Sequence, residues 1–556
     1  MSGLFAFRTS SKSSNVHAAE ARSTAQIEFT KHHFALLIGV LLLAAGARVL
    51  FSPGFAGGDD VMYAHRATEI ALGIWRRSDY FGELRYGINL PISFFVSIFG
   101  ANLVGFVAWS FICSLAEIAL VFVIAHYIWG LKAAVLAGFL IALTPIHINL
   151  GSSALGDAPL AFLFTLALVS FFFAERSSAK WLYFVTGVAV GFSWWIKPIA
   201  AVPFALTFAV YAVIWRLWRR EWILAILGGG LTVCLELVML WSQFGDPFHS
   251  IKANFSGVSH YFIQSNAPWG SHSPWFYFRQ MFLDGRTMWI VPHFALVGLL
   301  FFAWDKRNAG NGNAGNGSEF VVFWAITLVS LFSFFVYSVN PVKFIPKQTN
   351  YALIFFAPVA LLGGYALSRM NQIWLLGLIC AFILGTLPLS ALLQYGDRLN
   401  FSVIEKAQSF AKEHPEALVF TSHQAIGSAS LTDLAVGQPG ISENLRSIDL
   451  LSSGQSSANG DSNRLRFAIV DPLSPEFTQE NQAKLIAKTL AKCWQRITSF
   501  RPIASGFGEP VVALMSQLRP LLPRLVDRHL SFTDKLISPP MVEIFQSRPD
   551  CNASGT

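Results

Sequence analysis

Apolar runs of near-constant length alternate with short polar connections from Phe34 to Leu393. The runs cover 34–51, 103–127, 133–148, 158–174, 182–196, 199–215, 222–241, 287–304, 320–337, 351–367 and 373–393. Each approaches the length a helix needs to cross a hydrocarbon core of about 30 Å. Backbone polar groups inside lipid must be satisfied within the segment, so such runs are read as helices. The pattern predicts an all-α polytopic membrane bundle of about eleven transmembrane helices. The first run has no convincing small-residue cleavage site after it and is read as a retained helix.

From Asp397 the pattern shortens and turns polar. A helix is expected over 401–413 and another over 478–491, with short strands at 417–421, 466–470, 494–500 and 542–546. Residues 511–529 alternate apolar residues with Arg and read as an amphipathic helix on the membrane or on the domain. The expected organisation is a cytoplasmic tail over 1–33, a transmembrane module over 34–394 and a small extracytoplasmic α/β domain over 395–556. The module carries long outer loops at 52–90, 244–286 and 339–350. The Gly/Asn-rich stretch 308–318 reads as a flexible linker.

Composition agrees with the membrane reading: 54% hydrophobic, 14% aromatic and 13% charged, where soluble domains carry about a quarter charged residues. The net charge of +8 comes from Lys and Arg scattered over many short loops, which argues against a nucleic-acid partner. Placing the amino terminus in the cytoplasm puts Lys132, Arg176, Lys180, Arg216, Arg219, Arg220, Lys306, Arg307 and Arg369 in cytoplasmic loops. That satisfies the positive-inside rule. An odd number of spans then sends the carboxy terminus to the periplasmic side of a plasma (inner) membrane. The five cysteines are widely spaced and show neither zinc spacing nor a disulfide framework. A single bridge between Cys493 and Cys551 is an option for an oxidising compartment.

Candidate chemistry concentrates on the outer side. The first outer loop begins GGDDVMYAHRA, where Asp59 and Asp60 open a helix at its positive dipole end. Asp59, Tyr63 and Arg66 fall on one helical face. Asp157 starts another helix in GDAPLAF. Each acid has a purely structural reading as a helix start, but two acids from separate loops on one side suit general-base chemistry. The cations Lys197, Arg279, Lys343 and Lys347 lie on the same side, with His272 in SHSPWFYF. They suit an anionic head group such as phosphate, or else snorkel beside lipid phosphates. Glu117 and Glu236 within apolar runs read first as helix–helix hydrogen-bonding groups. No metal-ligand cluster, nucleotide phosphate loop or Ser nucleophile elbow is present.

These features resemble the membrane-embedded, C-type-fold glycosyltransferases that use polyprenyl-phosphate sugars. They are most similar to the dolichyl-phosphate-mannose protein mannosyltransferases and the bacterial lipid A aminoarabinose transferase group. GDDVMYAHRA looks like the acidic pair after the first helix, with Asp60 in a Glu place. YGINLP looks like the Pro-ended segment before the second helix. GDAPLAF, HSPWFYF and KQTNYALIFFAP, the last running from Lys347 through Tyr351, follow in the same order.

The resemblance implies an enzyme that moves a hexosyl or pentosyl group from a polyprenyl-phosphate donor to a lipid, glycan or protein acceptor, by inverting single displacement. By that carry-over Asp59 is the base, Asp60 its neighbour and Asp157 an orienting acid. Tyr63, Arg66, Lys197, His272, Arg279, Lys343, Lys347 and Tyr351 would bind substrate. No cofactor is expected, with a divalent cation left open. The alternatives are a transporter or flippase of lipid-linked sugars, or a polymerase or ligase of lipid-pyrophosphate-linked glycans.

Overall fold

The computed structural model describes residues 30–258, 273–308, 316–340, 342–437, 440–452, 464–473, 490, 493–521 and 533–548. Each apolar run of the sequence is helical over most of its length, with the end of the 320–337 run in a strand. In chain order they are α1 (Lys31–Leu50), α4 (Leu103–Trp129), α5 (Leu131–Leu143) with α6 (Pro145–Gly151), α7 (Asp157–Arg176), α8 (Trp181–Ile196), α9 (Pro198–Trp215), α10 (Ile223–Phe244), α14 (Val291–Asn308), α15 (Asn316–Phe334), α16 (Phe356–Ser368) and α17 (Gln372–Glu413). Between them lie α2 (Asp59–Ala71), α3 (Tyr86–Phe99), α11 (His249–Val258), α12 (Phe276–Phe282) and α13 (Gly285–Met288).

Among the described residues eight helices are long and apolar enough to cross a membrane, or nine if the bent pair α5–α6 is one span. The two remaining members of the expected eleven are α8, at 16 residues, and α14, whose last turn carries Asp305, Lys306 and Arg307. Both stand inside the same bundle. Thr144 and Pro145 break α5 from α6 at 64°, because proline supplies no N–H to continue the ladder. Asn102 and Asn371 cap α4 and α17 by accepting from Gly105 and Trp374.

Contacts sort the loops to two ends. His33 meets His126, Trp129 bonds Ser318, Lys132 bonds the Met370 carbonyl and Lys306 pairs with Glu319. The basic loop residues of the positive-inside pattern gather at this end. The opposite end carries α2, α3, α6, the start of α7 and the hairpin of β1 (Val336–Val339) with β2 (Val342–Phe344).

Arg48, His147 and Glu117 satisfy one another inside the bundle. Arg48 donates to Ser114 at 2.6 Å, to the Ala142 carbonyl at 3.2 Å and to His147 Nδ1. Arginine only donates, so His147 Nδ1 is the acceptor and its Nε2–H faces Glu117 at 3.0 Å. Thr165 donates to the other Glu117 oxygen at 3.0 Å. All of these side chains are fully buried, so His147 is a core residue. Removing one partner of such a network strands a charge in lipid-like surroundings.

α17 runs without a break from the bundle into the carboxy-terminal region, across the expected boundary at 394/395. Beyond it lie β3 (Leu418–Thr421), α18 (His423–Val436), β4 (Leu445–Ser447), β5 (Arg466–Val470), β6 (Trp494–Phe500), α19 (Gly508–Leu518) and β7 (Val542–Ser547). The sheet order is β4-β3-β5-β7-β6. β3 is parallel to β4 and β5, while β7 runs antiparallel to β5 and β6. The four expected strands are present. β4 and α18 are additions, and the helix expected at 478–491 lies outside the described residues apart from 490. The other half of the amphipathic expectation, 522–529, also lies outside them. Cys493 is disulfide-bonded and Cys113, Cys234 and Cys380 are free.

Candidate active site

The acidic loop is folded against the emerging α17. Gly57 takes φ +88°, a left-handed value suited to glycine, and a Cβ there would overlap the Ile404 side chain. Phe55 packs between Phe106 and Phe401. Gln394 donates to the Leu50 and Ser52 carbonyls at 3.1 and 2.9 Å, and Arg398 donates to the same Ser52 carbonyl at 3.1 Å. Gly427 of α18 rests on Val61 of α2. The carboxy-terminal region therefore forms part of the wall that fixes this loop.

The two adjacent acids have different surroundings. Asp60 is buried, and its oxygens accept from the Ala56 and Gly58 amides at 2.5 and 2.7 Å. Burial pushes its carboxyl above the usual range against those bonds, and the neighbouring Asp59 adds to the push. Asp59 is 54% exposed, and beside it stand the Tyr63 hydroxyl at 3.4 Å and Arg85 Nη1 at 3.6 Å. Arg85 also donates to the Tyr63 hydroxyl. Burial alone would weaken the Arg85 guanidinium's hold on its proton, but Tyr63, Asp59 and Tyr351 outweigh it and raise its pKa.

Asp157 closes the other side. Its Oδ1 accepts from Lys197 at 2.6 Å and its Oδ2 from Asn350 at 3.0 Å, and both members of the ion pair are buried. The Lys197 ammonium lies 4.6 Å from the Tyr351 ring centre, within cation–π reach. Tyr63 stands between the halves, since it touches Asp59 and feels the Asp157 charge. Lys347 is fully buried, donates to the Ile345 carbonyl at 3.1 Å and lies over Phe344. Burial lowers its pKa to about 8.

The structure thus brings together Asp59, Asp60, Tyr63, Asp157, Lys197 and Tyr351, with Lys347 three residues before Asn350 in the connection after β2. It separates others. Arg66 turns into the packing of α2, pairing with Glu69 at 2.9 Å and bonding the Arg76 carbonyl at 2.7 Å, so it is a structural cation. Arg279 lies on the exposed side of α12, whose inner face presents Tyr277 and Gln280. Lys343 sits opposite Ser338 in the hairpin, with no bond to these acids. His272 lies outside the described residues.

Three participants are not among the residues read from sequence. Arg85 stands just before YGINLP as an outer-side cation, and Asn350 lies within KQTNY. Asp397 of α17 accepts from Asn149 at 2.7 Å and feels the Asp60 charge. Among the described residues no group of three or more His, Cys, Asp or Glu side chains could hold a metal ion.

Residues 87–241 match the family model described as dolichyl-phosphate-mannose-protein mannosyltransferase. This segment holds Asp157 and Lys197 but neither Asp59 nor Lys347. The solved structure of ArnT from Cupriavidus metallidurans in the apo state superposes with TM-score 0.54 at 18% identity, covering 83% of this chain and 95% of ArnT. The chain has the C-type glycosyltransferase fold. ArnT bound to undecaprenyl phosphate gives TM-score 0.51 at 16% identity, covering 85% of this chain and 96% of that one. No curated protein matches. Within this C-type fold the Asp59 loop and the start of α7 lie at one end of the bundle, as described above.

Proposed function

We propose that the protein transfers a hexosyl or pentosyl group from a polyprenyl-phosphate donor to a lipid, glycan or protein acceptor at the extracytoplasmic face of the plasma (inner) membrane. The observation that carries this reading is the division between the acids. Asp60 is occupied by loop amides and Asp157 by Lys197 and Asn350, while Asp59 is exposed with a phenol and a guanidinium beside it.

In the proposed reaction the Asp59 carboxylate takes the proton of the acceptor hydroxyl. That oxygen forms a bond to the anomeric carbon from the face opposite the leaving group, and the bond from that carbon to the phosphate oxygen breaks. Polyprenyl phosphate leaves with the electron pair, and the anomeric centre inverts. In this reading Arg85 and Lys347 stabilise the charge that develops on the departing phosphate. The Asp157–Lys197 pair orients Asn350 and Tyr351 and is itself neutral overall. ArnT has been solved with undecaprenyl phosphate bound, which supports the donor class assigned here. The positive-inside pattern supports the orientation.

The test is reconstitution in vesicles containing a polyprenyl-phosphate sugar and an envelope-lipid acceptor. The reading expects stoichiometric polyprenyl phosphate and a product of inverted anomeric configuration. Movement of the intact lipid-linked sugar across the bilayer without cleavage would support the transporter alternative instead.

A further inference from the structure

α19 carries apolar side chains that no described protein surface covers. Phe507, Leu514 and Leu518 recur at helical spacing, with half-buried Val511 on the same stripe and Ile503 just before it. The exposed members of this row are between 42% and 78% exposed. Glu509, Ser516 and Gln517 occupy the opposite flank, while Gly508 and Val512 face inward. The helix thus has a packed side, a polar side and an apolar side with none of the described protein on it.

Its place in the fold says what covers that side. Gly508 is so close to α17 that a Cβ would overlap the Ala391 carbonyl and Tyr395. The Phe507 ring lies 6.1 Å from that of Phe51, which ends α1. Val49 and Leu50 at the end of α1, and Leu384 and Leu387 on α17, are exposed on the lipid-facing surface of the spans. The stripe continues that surface at the level where both helices leave the bundle. An exposed Arg501 stands next to it, suited to lipid phosphates.

We propose that residues 503–518 form a lipid-docking foot, whose apolar stripe inserts into the interfacial layer of the leaflet at the active-site end. The foot also steadies the acidic loop. The Ser505 carbonyl accepts from Arg398 at 3.0 Å, and Arg398 with Gln394 holds the Leu50 and Ser52 carbonyls at the root of that loop. Inserting the foot therefore fixes the depth of Asp59 relative to the head groups.

The test uses the full chain with Cys113, Cys234 and Cys380 replaced by Ser and Cys493 kept, in phosphatidylethanolamine–phosphatidylglycerol vesicles. Nitroxides are attached singly to Leu514→Cys, Leu518→Cys, Glu509→Cys and Gln517→Cys, and their collisions with oxygen and with a water-soluble nickel chelate are compared. The foot predicts that oxygen dominates at 514 and 518 and the chelate at 509 and 517. Chelate dominance at all four sites overturns it, as does shielding of 514 and 518 from both reagents by another segment or a second copy. The readout involves no sugar transfer, so it stands or falls apart from the catalytic reading.

Discussion

Lys197 donates a 2.6 Å hydrogen bond to Asp157 across forty residues of sequence, and both side chains are buried at the end of the bundle. A charge there is tolerated because its partner is present, so the pair is a positional lock and not a free phosphate clamp. Lys197→Met leaves Asp157 buried and unpaired, which costs about 3–5 kcal/mol. Thermal unfolding in detergent should show that loss for Lys197→Met and for Asp157→Asn, with part of it restored in the Lys197→Met/Asp157→Leu double variant. Additive losses in the double variant would mean the two are not coupled.

Arg85 bridges Tyr63 and Asp59, and the proposed reaction gives it the charge on the departing phosphate. Arg85→Met should raise KM for the lipid donor by tenfold or more, in line with about 1.5–3 kcal/mol for a hydrogen bond to a charged group. Arg66→Met, by contrast, should lower stability with little change in KM, because Arg66 serves Glu69 and the Arg76 carbonyl. Steady-state kinetics on the two variants separate the roles.

Lys347 is charged below its pKa of about 8 and neutral above it. A phosphate-holding ammonium predicts that kcat/KM for the donor falls as pH rises through about 8. Arginine stays charged across this range, so Lys347→Arg should flatten that alkaline limb even if its maximum is lower. A limb unchanged in Lys347→Arg would assign the titration to another group.

Gly57 combines φ +88° with close contact to Ile404. Gly57→Ala should displace the acidic loop, reducing transfer at least tenfold, with strain of about 1–2 kcal/mol. Ile404→Ala on that background should relieve the overlap but not the backbone strain, giving partial recovery of initial rates.

Much of this architecture was legible in the sequence because lipid leaves the backbone few choices. Each apolar run had to become a helix, and loop charge sorted the ends. GGDD and GDAP were readable as helix starts bearing acids, and both reach the same site. The reading of Arg66 as a substrate ligand rests on spacing along an isolated helix, which takes no account of Glu69 three residues on or of the neighbours covering α2. Arg85 lies in an aperiodic turn, where no pattern says which way a side chain points. The composition change near Asp397 falls inside α17, which runs unbroken through it. Its contacts with the Ser52–Asp60 loop cross too much sequence to be inferred locally.

The account centres on Asp59 as the group that deprotonates the acceptor. The most direct measurement is single-turnover transfer by Asp59→Asn protein in vesicles loaded with polyprenyl-phosphate sugar, beside its donor affinity and unfolding temperature. Loss of a general base predicts a rate lower by about 10²–10⁴, with donor binding and thermal stability close to wild type. Turnover within a few-fold of wild type would contradict the assignment and remove the base from this site.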